Sequence, residues 1–254
     1  MSATLTTGII SACLLAALWL GMWLRRFLPV DHLSSNSRDN MKLAMGLVAT
    51  MAALLLGLLV SSAKTSYDTT RTQVMEKASK YRLLDRVLEI YGPQAAEVRG
   101  MLHVLIENET RRLWPDDADV PGQSESNDKM GNEFYVTLLR LEAHDDAERA
   151  LKAQAASLAI ELGKLLSLME AESTTSISKP MLIVVVLWLV TIFLGFSLIA
   201  PPNTTARFAL IASALCAAGA IFLILELDHP FSGIMRISNE PMLDVLSEIG
   251  KRGR

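Results

Sequence analysis

The chain has 254 residues, of which 51% are hydrophobic and 20% are charged, and its formal net charge is −3. This slightly negative balance does not indicate nucleic-acid binding, so we expect no nucleic-acid partner. The apolar residues are concentrated in four blocks, 8–24, 43–62, 181–200 and 206–225. About 20 residues at ~1.5 Å per residue cross the hydrocarbon core as a helix, and each block is close to that length. The sequence therefore predicts an all-α membrane protein with four transmembrane helices in contact with membrane lipids.

The blocks divide the chain into four parts. Residues 1–62 hold spans one and two, 63–180 form a helical soluble domain continuous with span two, 181–227 hold spans three and four, and 228–254 form a C-terminal tail. Cys13 and Cys216 both lie inside apolar blocks, so we expect buried thiols and no disulfide framework.

The second span predicts an unusually long helix. No glycine or proline separates 43–62 from the amphipathic stretch 65–91 until Gly92-Pro93 is reached. At ~1.5 Å per residue this is one helix of about 70 Å, half in lipid and half in water. In the polar half, apolar residues recur at helical spacing: Val74, Ala78, Tyr81, Leu84, Leu88 and Tyr91.

For the rest of the soluble domain the sequence predicts a helix at 94–113 and a helix at 133–172. Between them, 114–132 is rich in Pro, Gly, Ser and Asp, which predicts a mobile loop. We interpret His144-Asp145-Asp146 as a solvated face of that last helix. The helix carries an apolar seam: Leu151, Ala155, Leu158, Leu162, Leu165 and Met169. Packing of this seam against 65–91 of the same subunit is favoured, and a coiled coil with another chain is the alternative.

The tail contains a turn at 229–233 and a short amphipathic helix opened by Pro241. Its expected apolar face consists of Met242, Leu243, Leu246 and Ile249.

Four spans place both termini on the same side of the membrane. The distribution of Lys and Arg favours cytosolic termini and a cytosolic 63–180 domain, although the first loop, with Arg25 and Arg26, favours the reverse.

No motif for catalysis is present. The sequence contains no phosphate-binding loop, no HExxH and no CxxC, and its four histidines lie in four separate segments without metal-ligand spacing. We therefore expect no enzyme, no metal site and no cofactor.

One side of the second span is small and weakly polar, becoming charged beyond the apolar block. It consists of Gly46, Thr50, Ala53, Gly57, Ser61, Lys64 and Asp68, and the opposite side of Val48, Met51, Leu55 and Leu59. Spacing alone favours close helix packing, for which small residues are the usual device. The alternative is a pore-lining face with small and hydroxyl side chains.

The charged end of this stripe is equally ambiguous. Lys64 and Asp68, four residues apart, form either an ordinary salt bridge or the charged mouth of a pore. The hydroxyls of Ser61-Ser62 and Thr65-Ser66 can bond back to helix carbonyls.

Two stretches resemble the bacterial bestrophins. LLVSSAKTSYDTT at 58–70 resembles the end of their second transmembrane helix, and ELDHPFSGIMRISNEPMLDVL at 226–246 resembles the segment after their last one. With YGPQAAEVR and RRLWP between them, these stretches are similar to the bestrophin-like membrane family of bacteria over nearly the whole chain.

The resemblance implies a homo-oligomeric channel for inorganic ions in the cytoplasmic membrane of a bacterium. It implies five subunits around an axis, with span two lining a hydrophobic neck. It implies that Tyr67 and Asp68, in the run Lys64-Thr65-Ser66-Tyr67-Asp68, hold the base of the pore helix. It further implies that Asp228, Pro230 and Phe231 pin the tail there.

The sequence also departs from the bestrophin pattern. Thr69-Thr70-Arg71 replace the aromatic pair after Tyr-Asp, and Leu54 is the best candidate constriction among small neighbours. The acidic cluster of the calcium clasp is missing, so calcium gating is not expected. The alternative function is a membrane-anchored scaffold or signalling module that does not conduct, with helices 65–91 and 133–172 as its docking surface.

Overall fold

The computed structural model describes residues 3–27, 35–114, 124–173, 179–201 and 203–252. In this part of the chain all regular structure is helical, which confirms the all-α prediction. The α-helices are α1 (Ala3–Leu24), α2 (Ser35–Tyr91), α3 (Ala96–Leu113), α4 (Ser124–Arg140), α5 (Asp146–Ser173), α6 (Lys179–Ile199), α7 (Thr204–Leu227) and α8 (Glu240–Arg252). A 3-10 turn, Pro93–Ala95, precedes α3.

The chain forms two compact units. The spanning unit consists of Met1–Tyr67 and Thr175–Met235, and the polar unit consists of Asp68–Thr174 and Arg236–Arg254. The division between the units lies within α2, after Tyr67. The tail is shared, since the turn after α7 belongs to the spanning unit and α8 to the polar unit.

The spanning unit is a bundle of apolar helices. α1, α6, α7 and the apolar part of α2 are each long and apolar enough to cross a membrane. α1 packs against both α6 and α7, and its Gly21 lies so close to α6 that an added Cβ would be 2.7 Å from the carbonyl oxygen of Leu194. Cys13 and Cys216 are exposed, although burial was expected for both. The reason is that a bundle of so few helices has a narrow interior, which leaves many residues of each helix on its surface.

α2 begins earlier than its apolar periodicity indicates, at Ser35 instead of residue 43. Its polar first turns include an ion pair of 2.9 Å between Lys42 and Asp39. At its far end, Gly92 has a φ of 108°, a conformation that L side chains rarely adopt, and the chain leaves the helix there. Only the apolar part, 43–62, has the length of a bilayer span, and residues beyond it lie on a polar extension.

The polar unit corrects two expectations about helix boundaries. The predicted loop 114–132 is helical from Ser124 onward, while 115–123 lie outside the described residues. The predicted helix 133–172 is two helices, because α4 ends at Arg140 and α5 starts at Asp146.

Side-chain bonds at its N-terminus explain where α5 starts. The Asp145 carboxylate accepts the Glu148 backbone N–H at 2.7 Å, and the Glu148 carboxylate accepts the His144 backbone N–H at 2.7 Å. The first bond satisfies one of the donors that a helix N-terminus leaves unpaired, and the second holds the residue before the cap against the first turn. His144 and Asp145 therefore terminate a loop and do not form a helix face, as had been expected.

The apolar seam of α5 belongs to the subunit's own core. Ala155, Leu158, Leu162, Leu165 and Met169 are buried, and Leu151 is half-buried. An ion pair between Lys80 and Glu161 connects α2 to α5 directly. These contacts favour packing within one chain over a coiled coil between chains.

α8 is amphipathic, with a somewhat different buried face from the predicted one. Met242, Val245 and Ile249 are buried, whereas Leu243 is exposed. The indole N–H of Trp114, at the end of α3, donates to the carbonyl of Ile237 at 2.8 Å, which fixes the chain just before α8.

A charged cluster lies inside the polar unit. The Lys77 ammonium of α2 contacts the Glu109 carboxylate of α3, and both residues are 1% exposed. The Tyr81 hydroxyl donates to the other oxygen of that carboxylate. Nearby, Arg112 pairs with Glu170 at 2.8 Å. Such pairs are stable only when every buried charge has a partner, because desolvation costs several kcal/mol per ion.

The environment of this cluster changes the proton affinity of the lysine. Burial is the largest cause and the Arg112 guanidinium the second, while Glu170 acts in the opposite direction, and together they lower the pKa of Lys77 from 10.5 to about 7. Burial also raises the pKa of Tyr81. The neutral amine is thus favoured in the fold well below the pH at which it forms in the unfolded chain.

Below pH 7, where Lys77 is charged in the fold, replacing Glu109 with leucine should reduce the free energy of unfolding by about 3–5 kcal/mol, because the buried charge would lose its carboxylate. The double variant Lys77→Met/Glu109→Leu should recover most of this loss. Chemical denaturation in detergent, followed by circular dichroism, measures both. Lys80→Met, which removes a more exposed ion pair, is the matched control and should cost less than about 1 kcal/mol. A double variant as unstable as Glu109→Leu would contradict the prediction.

Stability should also depend on pH through Lys77. Between pH 7 and 10.5 the unfolded chain binds a proton at Lys77 that the folded chain does not. The free energy of unfolding should therefore rise with pH across this window, and the lysine should contribute no slope below it. Denaturation of the wild-type protein and of Lys77→Met/Glu109→Leu at several pH values isolates this effect as the difference between them. A difference that is flat or falls with pH is the contrary result.

Candidate functional site

The spanning part of α2 has one buried side. Met45, Ala52, Leu59 and Ala63 are buried, and Leu59 and Ala63 join a core cluster with residues of α1, α6 and α7. Leu55 and Tyr67 pack against the same cluster. These contacts fix the rotation of α2 about its own axis within the spanning unit.

The predicted stripe lies on the other side. Gly46, Thr50, Ala53, Leu54, Gly57 and Ser61 are all exposed, and Leu54 is 76% exposed. A Cβ added at Gly46 or Gly57 would meet no atom within 4 Å. The small residues of this stripe are therefore not used for close packing within the subunit. Of the residues predicted opposite, Leu59 is buried and Val48 and Leu55 are half-buried, but Met51 is exposed.

Two hydroxyls near the stripe bond to the helix itself. Thr50 Oγ1 donates to the carbonyl of Leu47 at 2.7 Å, and Thr65 Oγ1 donates to the carbonyl of Ser61 at 2.9 Å. Each hydroxyl proton is satisfied locally, so the oxygen lone pairs are what these side chains present outward. The stripe is consequently small and weakly polar, and the exposed side chains of Leu47, Leu54 and Leu58 project beside it.

The residues at the end of the stripe surround Tyr67. Its ring is half-buried against the core cluster, and the Lys64 ammonium lies 5.6 Å from the ring centroid. A cation–π contact at an exposed site contributes about 0.5–1 kcal/mol and orients the lysine. Thr65, Ser66 and Asp68 are exposed.

The turn after α7 contains the predicted tail residues. Asp228 caps α7, with its backbone N–H bonded to the carbonyl of Ile224 at 3.2 Å. Asp228, Pro230 and Phe231 are each half-buried. The structure therefore places all three at the point where the chain turns back from the last spanning helix.

The strongest polar contact in this turn involves a residue that sequence reasoning missed. Glu226 is 2% exposed, and its carboxylate accepts the backbone N–H groups of Ile234 and, at 3.3 Å, of Met235. Gly233, beside it, has a φ of 88°, and a Cβ there would lie 2.2 Å from the carboxylate. The available signal was a single acidic residue between Leu225 and Leu227 at the end of an apolar block.

Among the described residues, no group of three or more His, Cys, Asp or Glu side chains could hold a metal ion.

Gly233→Ala should destabilise this turn, because alanine in a left-handed conformation costs about 1–2 kcal/mol and its methyl group would also displace the Glu226 carboxylate. Thermal unfolding in detergent should show a lower midpoint than for the wild type. Gly219→Ala in α7 is the control, since its Cβ would meet nothing within 4 Å. Equal midpoints for the two variants would show that the turn tolerates a side chain.

Comparison with known proteins gives a consistent result. The sequence matches the model of the Bestrophin-like domain over residues 12–242. No curated protein matches it.

Solved structures of a bacterial bestrophin homologue from Klebsiella pneumoniae share the fold. One variant is 16% identical with a TM-score of 0.63, covering 94% of this chain and 97% of that chain. A second is 14% identical with a TM-score of 0.70, covering 94% and 98%. A third is 15% identical with a TM-score of 0.69, covering 100% and 99%. At such low identity these structures establish the fold, whereas the family match extends over most of the chain, and the protein therefore belongs to the Bestrophin-like family.

Proposed function

We propose that this protein is the subunit of an oligomeric ion channel in the cytoplasmic membrane of a bacterium, with the exposed face of α2 lining the pore. The observation that carries this proposal is the contrast between the two sides of α2. Leu59 and Ala63 are buried in the bundle, while Thr50, Gly57 and Ser61 remain uncovered.

The chemistry of the exposed face suits a pore better than lipid. Glycine, alanine and hydroxyl side chains leave room for hydrated ions, and they offer lipid tails little apolar surface. Leu54 projects from this face between Thr50 and Gly57, where a ring of leucines would form a narrow apolar constriction.

A single α2 cannot enclose a pore, so the proposal requires several copies around an axis. Five is the favoured number, on the resemblance to bestrophins, and the fold shared with the bacterial homologue supports it. In such a ring the segment Lys64–Asp68 would form the base of the pore, with Tyr67 anchoring it to the bundle. Asp228, Pro230 and Phe231 would hold the tail at the same level of the channel.

The polar unit and both termini are placed in the cytosol under this proposal. Support comes from the distribution of Lys and Arg around the spans. The scaffold alternative loses its motivation, since the α5 seam offered as a docking surface is buried in the subunit's own core.

Leu54→Ala should increase the unitary current of the purified protein reconstituted in planar bilayers, because a smaller side chain widens the constriction. Leu187→Ala is the matched control, since Leu187 is also an exposed leucine on a spanning helix and lies on α6. Its current should equal that of the wild type. Equal effects of the two substitutions would argue against a pore along α2.

Thiol labelling tests the same face without assuming where the constriction lies. In a background with Cys13→Ala and Cys216→Ala, Thr50→Cys and Ser61→Cys should be blocked by a charged thiol reagent added in water. Leu187→Cys should not be blocked. Particle images viewed down the oligomer axis give the number of subunits. Stable oligomers that pass neither cations nor anions at any voltage or pH would refute the channel.

A further inference from the structure

A cavity of about 470 Å³ lies at one end of the spanning unit. Three helix ends surround it, namely the end of α1 at Leu24, the end of α6 at Ile199 and the start of α7 at Thr204. Its lining is basic and aromatic, and includes Arg25, Arg26, Arg207, Trp19 and Trp23. The proposed pore face on α2 contributes no residue to this lining.

The charge of the cavity is strongly one-sided. Among the described residues that line it, three are arginines and none is acidic. Arg25 donates to the carbonyl of Ala200 at the end of α6, and this contact directs its guanidinium into the space between the helices. Arg26 and Arg207 are exposed, so their guanidinium groups are accessible to a ligand. The lining therefore suits an anion with several acceptor oxygens.

The walls of the cavity are held by close backbone packing. A Cβ added at Gly21, one turn before Arg25, would lie 1.8 Å from the Ser197 hydroxyl. α1 and α6 thus touch directly beneath the arginines. This contact fixes the spacing between Arg25 and the end of α6 before any ligand arrives.

The aromatic residues place the cavity at the membrane boundary. Trp19 and Trp23 are exposed on the last turns of a spanning helix, and the Trp23 ring packs on Phe27 with 4.7 Å between centroids. Tryptophans at the end of a transmembrane helix lie at the level of the lipid headgroups. A phospholipid phosphate is therefore the anion present at this depth at high local concentration.

We propose that this cavity binds the phosphate of an anionic phospholipid, such as phosphatidylglycerol. Zwitterionic lipids suit it less well, because their ammonium group would add a positive charge to a site that already contains three arginines. The acyl chains would lie along the exposed indole rings. This binding does not depend on whether the protein conducts.

Native mass spectrometry of the full-length protein in detergent tests the proposal, with phosphatidylglycerol and phosphatidylcholine added at equal concentration. The wild type should retain phosphatidylglycerol preferentially. Arg26→Gln and Arg207→Gln should each weaken its retention about tenfold, the effect of losing one charge-assisted hydrogen bond. Arg26→Lys should lose less, since it keeps the charge. Because both side chains are exposed, the variants should fold like the wild type, and circular dichroism checks this.

Lys42→Gln is the matched control, because it removes a positive charge near the start of α2, outside the cavity. It should leave retention unchanged. Three results would each overturn the proposal. They are a loss of lipid retention in Lys42→Gln equal to that in the arginine variants, equal retention of the two lipids by the wild type, and unchanged retention in both arginine variants. Displacement of the lipid by millimolar inorganic phosphate would also overturn it, since the cavity would then be a site for free anions.

Discussion

The burial of one side of α2 within each unit is the constraint on which the rest of the structure depends. In the spanning unit the buried positions are four or seven residues apart, at Met45, Ala52, Leu59 and Ala63, and in the polar unit they are three, four or seven apart, at Val74, Tyr81, Leu84 and Leu88. Steps of this kind keep residues on one side of a helix. In the spanning unit this burial leaves the opposite side, with Thr50, Gly57 and Ser61, uncovered.

Lys77 lies on that buried side, which explains why its charge needs such specific partners. A residue at this position must enter the core of the polar unit, and most residues there are apolar. The structure compensates with Glu109 from α3 and Tyr81 from the next turn of α2. An ion pair of this kind adds little net stability, and a shift of α2 against α3 would leave the Glu109 carboxylate buried without its lysine.

The sequence allowed the spans, the long α2 and the seam of α5 to be predicted, because each rests on a strong hydrophobic period. Boundaries set by polar contacts were predicted poorly. The start of α5 depends on bonds from the Glu148 backbone to the Asp145 carboxylate and from the His144 backbone to the Glu148 carboxylate, and the sequence pattern of these residues is equally typical of a charged helix face. Similarly, Ser124 begins a helix inside a stretch whose composition is typical of a loop. In α8, Val245 and not Leu243 is buried, a choice that depends on its neighbours.

At the candidate site, the sequence predicted the stripe of small residues on α2, but it could not show that the other helices of the subunit leave this stripe uncovered. Small residues serve close packing and pore lining equally well, so only the packing around Gly46 and Gly57 separates these uses within the subunit. Glu226 could not be predicted, because a single acidic residue between Leu225 and Leu227 has no periodicity or motif that indicates a partner. Its role follows from three-dimensional contacts, in which one carboxylate meets two backbone N–H groups that the turn would otherwise leave unpaired.

In the proposed channel, the buried side of α2 in the spanning unit would limit how a constriction at Leu54 opens. Turning this part of the helix far enough to move Leu54 off a pore axis would expose Leu59 and Ala63. Burial of a leucine such as Leu59 contributes about 1.5–3 kcal/mol, and every subunit of an oligomer would incur the same loss. Rotation of α2 alone would therefore be a costly way to gate the proposed pore. Displacement of whole subunits, or a change in the Leu54 rotamer, would keep the buried side intact.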